Sequence, residues 1–124
     1  MVFYFTNKST DELKKIMYIP KKWKLIDIDQ ILNTLGYDIT QINKYSEFIL
    51  NREIEQRIIS AVKSSKIHSV VFSNPYYKND SVYNIIKLIQ SHNKKIKCNL
   101  LTNKDFLEDL YSFFNTVQFF NTID

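Results

Sequence analysis

Val2-Phe3-Tyr4-Phe5-Thr6-Asn7-Lys8-Ser9-Thr10-Asp11-Glu12-Leu13 is the stretch from which the rest of the chain can be read. Its first four residues form a short apolar run suited to a buried strand. Ser9 and Glu12 then stand at capping-box spacing, with the serine as helix N-cap. A helical pattern therefore starts near Asp11, carries Leu13, Ile16 and Met17 on one face, and stops by Pro20. Strand, short polar loop and helix follow one another within twenty residues.

The same alternation continues along the chain. Leu25-Ile26-Asp27-Ile28-Asp29 reads as a second strand, with its acids toward the carboxyl end. From about Ser46 to Val62, Leu50, Ile54, Ile58 and Val62 recur every fourth residue, while Arg52, Glu53, Glu55 and Arg57 are left for water, which predicts the strongest helix. Ser69 to Phe72 is a third strand that ends at Ser73-Asn74-Pro75. Val82, Ile85, Ile86 and Ile89 stripe the next helix, and Ile96 to Leu101 is a fourth strand ending at Thr102-Asn103. Phe106, Leu107, Leu110 and Phe114 mark a further helix, and Val117 to Phe120 an edge strand. Leu32 to Tyr45, with Gly36, reads as a short helix plus a loop. Strands separated by helix-length segments imply right-handed crossovers, hence a three-layer α/β/α domain with a mainly parallel sheet of four to five strands. No repeat or linker divides residues 1–124, so one domain is expected.

Composition excludes several functions. The 124 residues are 44% apolar, with a single glycine, a single cysteine and a net charge of +4. No run approaches the roughly 20 apolar residues of a membrane span, and the N-terminus lacks a signal-peptide pattern. A cytoplasmic protein is expected, with Cys98 a packed core thiol. His68 and His92 have no second-ligand spacing, so no metal site is expected.

A parallel sheet also gives its loops a position, because ligands bind outside the carboxyl ends of the strands. Asn7, Lys8, Asp27, Asp29, Ser73, Asn74, Thr102, Asn103 and Lys104 should gather there as a crevice. Tyr76 and Tyr77, after Pro75, form a candidate interaction surface in the adjoining loop. Lys21, Lys22, Lys24, Lys66, Lys94, Lys95 and Lys97 precede or open strands and should rim the opposite edge.

Lys8-Ser9-Thr10, Ile26-Asp27-Ile28-Asp29 and Ser69-Val70-Val71-Phe72-Ser73-Asn74 together resemble the P-loop nucleotide and polynucleotide kinases. The resemblance spans most of the chain and implies strand order 2-3-1-4-5. It also implies ATP and Mg²⁺ as cofactors of any enzymatic version, with Lys8 on phosphate, Ser9 on the metal and Asp29 at the acceptor hydroxyl. The chain departs from the family pattern at the glycines of the phosphate loop, at the acid after the third strand and at the lid arginines. Phosphoryl transfer depends on positioned cations and N–H groups, so the departures point to a pseudo-kinase without cofactor. Asp27-Ile28-Asp29-Gln30-Ile31 also faintly resembles the nucleophile segment of haloacid-dehalogenase-type phosphatases, without the glycine and threonine of that motif.

The favoured expectation is a non-catalytic binding or accessory protein acting through protein–protein contact. Its heavy use of Ile, Lys, Asn, Phe and Tyr matches AT-rich codons, as found in many T4-like phages and in some AT-rich bacteria or eukaryotic parasites; a phage source, which would place the protein in the host cytoplasm, is one expectation. Phe113-Phe114 and Phe119-Phe120 are further candidate surfaces, and self-association through the edge strand is an additional expectation. Nucleic-acid binding through the basic segment Lys14 to Lys24, with Tyr18 and Trp23 for stacking, is the alternative to both kinase and accessory readings.

Overall fold

Two- and 3.6-residue periodicities sort the chain into five strands and the helical segments between them. A computed structural model describes residues 1–76, 79–103 and 108–120, with residues 79 and 80 by their backbone alone. The order is β1 (Val2–Thr6), α1 (Thr10–Ile16), β2 (Lys24–Asp27), α2 (Ile28–Leu35), a 3-10 turn (Ile39–Gln41), α3 (Lys44–Lys63), β3 (Ser69–Ser73), α4 (Asn79–His92), β4 (Lys97–Thr102), a second 3-10 segment (Glu108–Phe113) and β5 (Thr116–Phe119). The sheet runs β2-β3-β1-β4-β5 and all its pairings are parallel. The expected fold class and strand order are both present.

Register assigns each side chain to a face. Phe3 pairs with Val70 and Cys98, and Phe5 with Phe72 and Leu100, so these residues share one side of the sheet. That side carries the large core, together with Ile54, Ile58, Val82, Ile86 and Ile89 from α3 and α4. Phe5 stands edge-on to Phe72 at 5.8 Å and to Phe114 at 5.5 Å, geometry that adds about 0.5–1.5 kcal/mol per pair beyond area burial. Tyr4, Val71 and Leu101 face the other way. The step from β1 to β2 runs opposite to the later ones, so right-handedness puts α1 on this second side. Leu13 is its fully buried anchor, and Trp23 lies flat on Tyr4, with ring centroids 4.9 Å apart and planes 7° from parallel.

The structure corrects several boundaries. The second strand ends at Asp27, and Asp29 belongs to the first turn of α2. Asp27 is the reason: its carboxylate accepts the Asp29 N–H at 2.9 Å and caps the helix. The two acids therefore do not share a strand face. α2 ends at Gly36, whose φ of 73° is the left-handed conformation that a helix C-cap favours in glycine. In α3 the buried position after Ile58 is taken by Ala61 and not by Val62, which is half-buried. A spacing of four advances 400° per step and drifts off the face after three steps, so the stripe falls back by one residue. The helix expected around Phe106 to Phe114 is a 3-10 segment where it is described; Phe106 and Leu107 lie outside the described residues.

Candidate functional site

Lys8 and Ser9 of the loop after β1 are hydrogen-bonded within the loop and to the first turn of α1. The Lys8 N–H donates to Thr6 Oγ1 at 3.2 Å. Ser9 caps α1: its Oγ accepts the Glu12 N–H at 3.2 Å, and Glu12 Oε1 accepts the Ser9 N–H at 3.2 Å. Lys8 Nζ lies 3.9 Å from Glu12 Oε2. The Glu12 carboxyl is held below its usual range, first by the Ser9 N–H, then by the Ser9 hydroxyl, with Lys8 and Lys15 adding to the effect. The loop is fastened from below as well, since Ser73 Oγ donates to the Lys8 carbonyl at 2.6 Å and the Asn74 N–H to the Thr6 carbonyl at 3.1 Å.

The carboxylates are engaged too. Asp27 Oδ1 caps α2, while its Oδ2 accepts the Thr10 hydroxyl at 2.8 Å. Asp29 Oδ1 accepts the Tyr76 hydroxyl at 2.7 Å. That bond, with partial burial and the negative charges of Asp29, Asp27 and Asp38, pushes the phenol up to about 12. Asn74 Oδ1 accepts the Tyr76 N–H at 2.8 Å, which turns the loop after β3 toward α2. The structure thus brings Lys8, Ser9, Asp27, Asp29, Ser73, Asn74 and Tyr76 to one edge of the sheet. It joins them mostly to one another and to the backbone.

β4 reaches the same edge. Thr102 is fully buried, and its hydroxyl donates to the Asn103 carbonyl at 2.9 Å. The side-chain oxygens of Asn7 and Asn103 are buried without a hydrogen-bond partner among the described residues. Lys104 and Tyr77 lie outside the described residues.

Beside this edge opens a cavity of about 310 Å³, lined by Ile28, Ile39, Ile42, Leu50, Ile54 and Ile85 and by the polar Glu47, Asn51, Asn74, Tyr76 and Ser81. The volume lies at the small end for ligand pockets. Tyr76 stands at its margin, 40% exposed. A shallower cleft of about 90 Å³ continues it between α3 and α4, past Asn84 and Leu88. Residues 32–45 carry no periodicity that would have assigned Ile39 and Ile42 to a cavity wall. The role of Thr10 as partner of Asp27 also lacked a sequence signal, because the hydroxyl of a helix N1 residue is usually solvated.

Lys21, Lys22, Lys24, Lys66, Lys94, Lys95 and Lys97 are all exposed at the opposite edge. Cys98 is fully buried, and desolvation pushes its thiol up to about 12, where it is inert as a nucleophile. Among the described residues no three His, Cys, Asp or Glu side chains cluster as a metal site, and no helix is long and apolar enough to cross a membrane. Comparison with family models, with curated proteins and with solved structures returns no match to this chain.

Proposed function

We propose that this chain is a non-catalytic binding protein built on a scaffold with the strand order of the P-loop kinases, and that it acts through protein–protein contact at the carboxyl edge of its sheet. One observation carries this reading. The Lys8, Ser9 and Glu12 N–H groups are accepted within the segment itself, by Thr6, Glu12 and Ser9 in turn, and the lysine ammonium lies against Glu12. A phosphate could enter only by displacing the capping box, and the loop has no glycine with which to rearrange around it. Asp29, the residue that would act on an acceptor hydroxyl, instead holds Tyr76. The cavity beside Tyr76 offers an apolar floor with polar groups at its margin, the composition that receives an interface anchor.

Thermal unfolding with and without ATP and Mg²⁺ tests the proposal. The expected result is no saturable rise in melting temperature for the wild-type protein. A saturable rise that Lys8→Ala abolishes would establish the kinase alternative, with Lys8 on phosphate and Ser9 on Mg²⁺.

Self-association is favoured by a separate feature. β5 is an outer strand, and Phe119 on it and Phe113 just before it are 49% and 44% exposed. Strand edges flanked by exposed aromatics pair readily with a second edge. Light scattering across a concentration series should show a dimer that Phe119→Lys dissociates; a strictly monomeric wild type would count against it.

A further inference from the structure

The charge of this molecule is segregated far more strongly than its net value of +4 indicates. Residues 13–26, 56–79 and 81–104 contain no Asp or Glu at all. These are the segments that carry the chain to the starts of β2, β3 and β4 and into those strands. Lys14, Lys15, Lys21, Lys22 and Lys24 lie on the first approach, Lys63 and Lys66 on the second, and Lys94, Lys95 and Lys97 on the third; all ten are exposed. The ion pairs found among the described residues, Lys8–Glu12 and Arg57–Glu53, involve none of them.

Register shows that they share one end of the domain. The Val2 N–H donates to the His68 carbonyl, and the Lys97 N–H to the Met1 carbonyl. Lys24 is in register with Val70, one residue past the Ser69 that pairs with Val2. Lys24 and Lys97 are therefore about 14 Å apart across three strand spacings. The carboxyl ends of α1, α3 and α4 point to this end, and each contributes roughly half a negative charge. Three such ends offset only about 1.5 of the ten lysine charges, so complementing the helix dipoles does not explain the excess.

We propose that this end of the molecule is a binding surface for single-stranded nucleic acid, held through its phosphates. A row of lysines along a sheet edge, without ion pairs among the described residues, suits a flexible polyanion. Tyr18, 80% exposed between Lys14-Lys15 and Lys21-Lys22, supplies a stacking surface within the row. The cations are lysines, compact point charges on flexible stems, and contacts to phosphates carry no base sequence, so binding is sequence-independent. An anionic membrane is the less suitable partner. Ile16 and Tyr18 are the exposed large apolar residues at this end among the described residues, too few for the apolar face of an interfacial helix.

Fluorescence anisotropy with labelled DNA and RNA single strands of about 16 nucleotides tests this surface. Contact with about five phosphates would lower affinity about 100-fold between roughly 50 and 200 mM salt. Lys21→Glu with Lys22→Glu, and separately Lys94→Glu with Lys95→Glu, should each weaken binding at least tenfold. Tyr18→Ala should weaken it about tenfold, as for loss of one stacked base. Lys44→Glu, a charge change half as large at the other end of the domain, should leave it within twofold. Melting curves check that each variant is folded. Absence of binding at low salt overturns the proposal, as does equal loss in Lys44→Glu and the rim variants, or binding to anionic vesicles without binding to oligonucleotides. ATP binding has no part in this readout, so the outcome is independent of the phosphate-loop test.

Discussion

Tyr76 and Asp29 are the pair in which residue chemistry and tertiary placement are most directly coupled. The phenol donates to a carboxylate in the first turn of α2, and its ionisation would set a phenolate against that charge. Its folded pKa of about 12 lies above the usual 10.0. The bond therefore contributes stability that is fully present below pH 10 and is lost as pH rises through about 12. Asp29→Asn should return Tyr76 toward its ordinary range in an ultraviolet phenolate titration, with Tyr76→Phe identifying which of the tyrosines has moved. An unchanged titration in Asp29→Asn would show that the pair does not form in solution. Glu12 has the opposite sign. Its lowered pKa means that its contribution is present above its unfolded value of 4.5 and is lost as pH falls through the folded one.

At the level of elements, α1 depends on its cap more than on its ion pair. The helix has seven residues, too short to persist without its N-terminal bonds or tertiary packing. Ser9→Ala removes the cap and should cost about 1 kcal/mol in urea unfolding. Lys8→Ala removes a surface pair at 3.9 Å and should cost no more than about 0.5 kcal/mol. A larger loss for Lys8 than for Ser9 would mean that the charge, and not the cap, holds the loop. The capping box was legible because Ser9 and Glu12 stand three apart, a purely local signal. The end of β2 was not, because Leu25-Ile26-Asp27-Ile28 alternates like a strand through the first residue of α2. Ile26 and Ile28 are both buried, one from the sheet and one from the helix. Only the Asp27 cap separates the two periodicities, and an aspartate near a strand end reads in sequence equally as a solvated group or as the cap of a following helix.

For the whole molecule, the consequence of charge segregation is repulsion within one end. Ten exposed lysines, none of them in an ion pair among the described residues, raise the energy of the compact state. Screening should relieve it, so the melting temperature should rise as salt increases toward about 0.15 M, where the Debye length shortens to about 8 Å. A steady fall over the same range would mean that favourable pairs, such as Lys8–Glu12 and Arg57–Glu53, outweigh the repulsion. The carboxylate-free segments can be counted in the sequence. That they converge is a property of parallel topology, in which every crossover returns to the same edge before the next strand begins.

Hydrophobic spacing and cap residues were sufficient to define the alternation of strands and helices, the parallel sheet and the edge at which its polar loops meet, because these follow from interactions within a few residues. The family resemblance supplied the strand order that the sheet adopts. The pairing of the loop groups with distant segments emerged only in three dimensions. Lys8 meets Ser73, Thr10 meets Asp27 and Asp29 meets Tyr76 across the sheet edge, and a hydrogen bond between distant segments depends on register and backbone direction that no local pattern encodes. The cavity beside Tyr76 has the same origin, because its walls come from α2, α3, α4 and a 3-10 turn whose packing is decided only when the core closes.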